Sequence, residues 1–255
     1  MLRVIGPIAR TTLLEALRSR MLWLVGCLLV LAFGLAGFLQ QVAIVETAPI
    51  QSAIIAALLR ACAAFLTAAF VVMSMVREAN DKVLELLLAQ PWPRAAYLLG
   101  KFVGFSTAAI GLAVAFSLPL LPFAPAAGVA AWGLSLACEL LIVAAMSLFF
   151  VLTLTHVVPA LAAVLGFYVL ARSIAAIQVI AAAAESSVAW TDRLANGIVQ
   201  GVSFLLPRLD LMTQTAWLVE AAPTPAAIGG VLLQTAVYTG LLIAGAQFDL
   251  QRQNL

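Results

Sequence analysis

The chain is 255 residues long, 65% of them hydrophobic and only 9% charged, with a mean hydropathy of +1.14. Soluble domains average roughly 25% charged residues, so this composition excludes a water-soluble fold of this length. The formal net charge of +2 is too small to indicate nucleic-acid binding, and the three cysteines lie in apolar runs without metal-ligand spacing. The composition predicts an all-α, polytopic membrane protein.

Apolar stretches along the chain are each close to the ~20 residues that a helix needs to cross a bilayer. The segment before the first stretch, 1–20, predicts an interfacial helix, because Arg10, Glu15 and Arg18 leave one side polar. A basic cytoplasmic tail is the alternative for that segment. Two glycine pairs, Gly100 with Gly104 and Gly197 with Gly201, have the spacing that permits close contact between helices. We predict a bundle of about six transmembrane helices in a single transmembrane domain, 1–255, with spans at 21–40, 53–76, 96–118, 127–152, 160–182 and 226–247.

The segment 183–225 is too long for a plain turn, and we expect it to be extracytoplasmic or to re-enter the membrane without crossing it. Residues 198–219 approach the length of a span. Pro207, Arg208 and Asp210 interrupt them, and a charged pair at mid-depth is costly in lipid. A seventh span is the alternative.

Lysine and arginine predict the orientation, because cytoplasmic loops carry an excess of them. Outside the spans, the basic residues fall in 1–20, in 77–101 and in the C-terminal tail, and only Arg193 and Arg208 fall on the other side. We therefore expect both termini and 77–101 to be cytoplasmic, in a cell inner membrane.

The most charge-rich stretch is 77–101, REANDKVLELLLAQPWPRAAYLLGK. Its first charged residues recur at helical spacing, and leucines occupy the other face, which predicts an amphipathic helix over 77–94. Two prolines end that helix, because proline lacks a backbone donor. An ordinary loop is the alternative. The charged positions are Glu78, Asp81, Lys82 and Glu85, and Arg94, Tyr97 and Lys101 are expected to anchor the next span at the interface.

Three charged residues fall inside the predicted spans: Arg60, Glu139 and Arg172. Charges within the hydrocarbon layer face the protein interior, pair with each other or line a path. Pairing of Glu139 with either arginine would neutralise both partners. A static ion pair and a substrate path both stay open at this point.

No phosphate-binding GxxxxGK[ST] loop occurs in the chain. The single histidine, His156, lies in a short link between spans, and neither a Ser-His-Asp arrangement nor an HExxH pattern can be built around it. We therefore expect no catalytic residue, no metal site and no cofactor on this chain.

The stretch 77–101 resembles the ABC type-2 transporter permeases, the six-span membrane subunits of ATP-driven exporters. In that family an acidic helical stretch leads into E-L-L-L, then a proline, an arginine and a G-K pair. Here Glu78 and Asp81 precede Glu85-Leu86-Leu87-Leu88, and Pro91, Arg94 and Gly100-Lys101 follow. The resemblance implies that 77–94 is a cytoplasmic coupling helix on which an ATPase subunit docks through Glu78, Asp81, Lys82, Glu85 and Arg94.

The resemblance also implies two copies of the permease with two ABC ATPase subunits, which would bind the ATP and magnesium. The chain would then be no enzyme itself. The resemblance places the substrate path between the two copies. The few polar groups within the spans favour an amphiphilic or hydrophobic cargo. Two alternatives stay open: a secondary carrier driven by an ion gradient through the three intramembrane charges, and a scaffold that docks a cytoplasmic partner without transport.

Overall fold

A computed structural model describes residues 2–42, 47–81, 94–184, 197, 201–202, 206–220 and 222–252. No strand occurs in these ranges. Short 3₁₀ turns cover Leu118–Leu120 and Leu209–Leu211. The helices are α1 (Leu2–Arg18), α2 (Met21–Val42), α3 (Thr47–Asn80), α4 (Arg94–Ser117), α5 (Ala126–Leu154), α6 (Val157–Ala184), α7 (Ala216–Val219) and α8 (Pro225–Arg252).

Six of these helices, α2 to α6 and α8, are long and apolar enough to cross a membrane. This confirms the predicted all-α polytopic bundle, and the chain is a multi-pass membrane protein. Every predicted span lies on one of these helices, except that the third includes Leu118, which begins the following 3₁₀ turn. The largest boundary difference is at α3, which begins six residues before the predicted start at 53 and ends four residues after the predicted end at 76.

The bundle has two ends that side-chain contacts define. At one end, Thr153 donates to the Asp249 carboxylate at 2.5 Å, and Arg94 donates to the Leu250 carbonyl oxygen at 2.9 Å. We call this the termini end, because α1 and the end of α8 lie there. At the other end, the far end, Gln51 Nε2 donates to the Ala36 carbonyl oxygen at 3.1 Å.

Helix α5 is the centre of the bundle and packs against α3, α4, α6, α7 and α8. In its most apolar segment 72% of the residues are buried, against 11% for α2 and for α8. Most residues of α2 and α8 therefore face outward, where lipid or another chain covers them in a membrane. The fully buried side chains of α5 include Trp132, Leu136, Leu140, Ile142 and Met146.

Helix α1 packs most closely against α4, through two glycines. A Cβ atom on Gly100 would lie 2.9 Å from the Ile8 Cβ, and one on Gly104 would lie 2.7 Å from the Thr12 Cβ. Both contacts advance by one turn, so the two helices run in the same direction there. The four-residue glycine spacing thus lets the α1 and α4 backbones approach closely.

Replacing Gly104 by leucine is expected to destabilise the protein by about 2 kcal/mol, because the added side chain meets Thr12 and the Ala9 carbonyl oxygen. Unfolding by SDS in mixed micelles measures the change. Gly111→Leu is the matched control on the same helix, because nothing lies within 4 Å of a Cβ at that position. Equal stability of the two variants would contradict the close packing of α1 on α4.

Two parts of the predicted segmentation differ in the structure. Residues 77–80 continue α3, and Arg94 begins α4, so the expected helix over 77–94 is not a separate element at either end. Its middle, 82–93, lies outside the described residues. Within 183–225, residues 206–208 are not helical, which excludes one continuous seventh span over 198–219. The short helix α7 instead packs its Trp217 carbonyl oxygen against Gly128 of α5.

Candidate functional site

Polar side chains from three spans and from the segment before α8 meet inside the bundle toward its far end. We call this group the far-end cluster. Helix α3 contributes an arginine, α5 a serine and a glutamate one turn apart, and α6 a tyrosine and an arginine one turn apart. The 206–220 segment contributes a threonine. The members are Arg60, Ser135, Glu139, Tyr168, Arg172 and Thr213.

Glu139 is the centre of the far-end cluster and is completely buried. One carboxylate oxygen accepts a hydrogen bond from the Tyr168 hydroxyl at 2.7 Å, and the other accepts one from the Thr213 hydroxyl. The second oxygen also lies 3.8 Å from the Arg172 Nη1. A charge buried in a membrane protein needs such partners. The Glu139 carboxylate is therefore fully engaged by groups of its own chain.

The two arginines bind the backbone of the 206–220 segment. Arg172 donates to the carbonyl oxygens of Leu209 at 2.5 Å and Met212 at 2.9 Å. Arg60 donates to the carbonyl oxygen of Thr213 at 3.2 Å. The Leu209 carbonyl oxygen also accepts the Met212 N–H within its 3₁₀ turn, so the arginine bonds add to those that the segment makes itself. The intramembrane arginines thereby fix this segment to the bundle.

Thr213 adopts a left-handed backbone conformation, with φ of 45°. This region is strained for a β-branched residue, so the surrounding contacts must hold it there. The Thr213 N–H donates to the Ser135 hydroxyl at 2.9 Å, while its hydroxyl binds Glu139 and its carbonyl binds Arg60. All three polar groups of one residue therefore join α3 to α5.

A second polar cluster lies at the termini end, directly before and after the segment 82–93. We call it the termini-end cluster. Lys101 of α4 forms an ion pair with Glu78 of α3, and the Tyr97 hydroxyl donates to the same carboxylate at 2.7 Å. The Lys101 side chain is only 4% exposed. Because the pair joins the last turn of α3 to the first turns of α4, it clamps the two helices that 82–93 connects.

Helix α1 joins the termini-end cluster through one carboxylate. Ser74 of α3 donates to Glu15 at 2.9 Å, and Arg77 lies 3.9 Å from the other Glu15 oxygen. The Arg77 side chain is 67% exposed, so this second contact is weak. The entry helix is thus attached to the end of α3 as well as to α4.

The residues predicted to dock an ATPase have different surroundings. Glu78 was expected on an outward polar face, but its carboxylate points into the bundle, toward Lys101 and Tyr97. Arg94 likewise binds α8 through the Leu250 carbonyl oxygen. Asp81 is exposed. Lys82 and Glu85 lie outside the described residues, so their docking role stays a prediction.

Two of the three expected interface anchors on α4 are also buried, whereas Arg94 is partly exposed. Tyr97 and Lys101 are 5% and 3% exposed, because Glu78 provides a polar partner that lets both enter the bundle. The three charges predicted inside the spans, Arg60, Glu139 and Arg172, do lie in one cluster, and Glu139 pairs with Arg172. Arg60 joins them through Thr213 rather than through the glutamate.

Three members of the far-end cluster were missed in the sequence. Ser135 and Tyr168 lie one helical turn before Glu139 and Arg172, and this spacing on the same helix face could have identified them. Thr213 carries no such signal. Within the described ranges, no three histidine, cysteine or acidic side chains meet as a metal site requires. No family model matches the chain, and no curated protein is significantly similar to it.

Proposed function

We propose that the chain is the membrane permease subunit of an ATP-driven ABC exporter. Two copies would associate with two separate ATPase subunits, which bind ATP and magnesium, and cargo would pass between the copies. The observation that carries the proposal is the charge-rich segment 77–94, joined to two spans whose ends are clamped by the Glu78–Lys101 ion pair. A force on 82–93 would move α3 and α4 together because of this clamp.

The distribution of basic residues supports a cytoplasmic termini end. Among the described residues, Arg10, Arg77 and Arg94 lie at or near that end, as does Arg252, whereas Arg208 lies at the far end. Cytoplasmic loops carry this excess of arginine and lysine. The segment 82–93 would then face the compartment that holds ATP, in a cell inner membrane.

A secondary carrier driven by an ion gradient is the second candidate, and the buried Glu139–Arg172 pair favours it. Such pairs occur on ion paths in transporters. A carrier would move its substrate in proteoliposomes that contain this chain alone under a proton gradient. An exporter would require the ATPase and ATP.

The charge reversal Glu85→Lys tests the proposal. Tagged protein is purified from native membranes in mild detergent, and ATP hydrolysis and any phosphate-loop ATPase that co-purifies are measured. We expect an ATPase with the unchanged chain and at least about a tenfold loss with Glu85→Lys, because repulsion replaces attraction across the interface. Glu220→Lys, an exposed charge reversal at the far end, is the control and should retain the ATPase.

Two results would refute the proposal. One is the absence of any ATPase from the unchanged complex. The other is unchanged ATP-dependent transport by the Glu85→Lys variant, provided that both variants insert into the membrane equally.

A further inference from the structure

An open pocket of about 570 Å³ lies at the far end, between the first turns of α3, helix α6 and the segment before α8. Helix α3 lines one wall with Arg60 and with small or apolar residues, and polar or charged side chains of α6 and of the segment before α8 line the other. The residues that matter here are Arg60, Arg172, Asp210, Gln214, Ile54 and Ala57. The pocket is therefore amphipathic, because two guanidinium groups and the Asp210 carboxylate lie beside the apolar side chains of α3.

The charges around this pocket do not cancel. Arg172 has Glu139 as its counter-ion, and Asp210 is paired with Arg208 at 3.1 Å. Arg60 has no carboxylate within 4 Å among the residues that the structure describes. Its one hydrogen bond in that part of the chain goes to the Thr213 carbonyl oxygen. One guanidinium at the pocket wall thus has no counter-ion among the side chains that the structure describes.

An arginine in this state is suited to bind an anion. A guanidinium has five N–H donors in a planar fork, and a single carbonyl occupies one of them. The fork matches carboxylate and phosphate oxygens, which can accept two parallel hydrogen bonds. A cation within a membrane span is also costly without a partner, and a bound anion offsets that cost.

We propose that this pocket binds the phosphate or carboxylate headgroup of an amphiphile, with Arg60 as the residue that recognises the anion. The apolar part of the ligand would lie along Ile54, which is 42% exposed, and Ala57. Arg172 lines the pocket beside Arg60, and the completely buried Glu139 holds Arg172 in place without reaching the ligand. Assignment of this ligand as the exported cargo rests on the proposed function, whereas the binding itself does not.

Binding is measured on the purified chain in phosphatidylcholine nanodiscs, without any ATPase. Decyl phosphate, inorganic phosphate and uncharged decyl maltoside are titrated separately, and bound ligand is counted by native mass spectrometry. We expect decyl phosphate to bind and decyl maltoside not to bind. Arg60→Gln should lower the affinity for decyl phosphate at least about tenfold, because a charge-assisted hydrogen bond is lost. Arg10→Gln removes an equal charge at the termini end and should have no effect.

Two further variants keep the experiment decisive. Arg60→Lys retains the charge but loses the fork and should bind with intermediate affinity. Ala57→Glu places a carboxylate one turn from Arg60 and should block the site while Arg60 remains. This variant serves as the test if Arg60→Gln does not fold.

The results separate the two sources of the anion. Binding of decyl phosphate alone supports an amphiphile headgroup, and equal binding of inorganic phosphate identifies a water-soluble anion instead. Decyl phosphate binding that neither Arg60→Gln nor Ala57→Glu reduces would overturn the inference, and so would no binding at all. Because no ATPase is present, these outcomes do not depend on whether the chain is an exporter subunit.

Discussion

Replacing Glu139 by glutamine is expected to destabilise the protein by about 3 kcal/mol. Removing one partner of a buried ion pair leaves the other charge without compensation. Here the Arg172 guanidinium would lose its counter-ion inside a membrane span. A glutamine also replaces one acceptor oxygen by an NH₂ donor, so either the Tyr168 or the Thr213 hydroxyl would lose the oxygen to which it now donates.

The stability change is measured by SDS-induced unfolding in mixed micelles. Glu220→Gln is the matched control, since Glu220 is exposed at the far end, and we expect its midpoint to be unchanged. The double variant Glu139→Gln with Arg172→Gln should recover part of the loss, because neither charge is then left alone. A Glu139→Gln variant as stable as the unchanged protein would show that the far-end cluster does not hold the fold.

Replacing Lys101 by methionine is expected to cost about 2–3 kcal/mol, although methionine fills a similar volume. The Lys101 side chain is almost completely buried, and it is the cation that pairs with Glu78. Without it, the partly buried carboxylate keeps only the Tyr97 hydroxyl among the bonds described above. Loss of a counter-ion costs more here than at an exposed pair, because solvent screens the remaining charge less.

Arg77→Met provides the comparison at the same end of the bundle. Its side chain is mostly exposed and lies 3.9 Å from Glu15, so the expected loss is within about 0.5 kcal/mol. Adding Glu78→Gln to Lys101→Met should restore part of the stability. Equal losses of stability in Lys101→Met and Arg77→Met would mean that the buried Lys101–Glu78 pair contributes no more than the exposed Arg77–Glu15 pair. That result would contradict the proposed clamp between α3 and α4.

The spans could be predicted from the sequence because hydrocarbon requires long apolar helices, and no other information is needed to find them. Their ends could not, because polar residues extend a helix wherever the fold supplies a partner. Gln51 lies before the predicted second span but is buried, since it donates to Ala36. Glu78 lies after the predicted end of that span but continues the helix, because Lys101 and Tyr97 donate hydrogen bonds to its carboxylate.

The far-end cluster was predictable in part for a similar reason. Arg60, Glu139 and Arg172 are charges inside apolar runs, and the cost of burial predicts that they meet. Thr213 follows Arg172 by 41 residues in a segment without helical periodicity, and its role depends on a left-handed backbone. No local pattern encodes that conformation, because the contacts that impose it come from three different helices.

Helix α3 connects the two clusters, and this has a mechanical consequence. Arg60 and Glu78 are 18 residues apart on it, which is five complete turns, or about 27 Å along the axis. Both side chains therefore project from the same side, and no proline interrupts the helix between them. An axial shift or rotation of this rigid rod that displaces Glu78 from Lys101 must also displace Arg60 from Thr213. A movement of α3 at the termini-end cluster is therefore transmitted to the far-end cluster through this one helix.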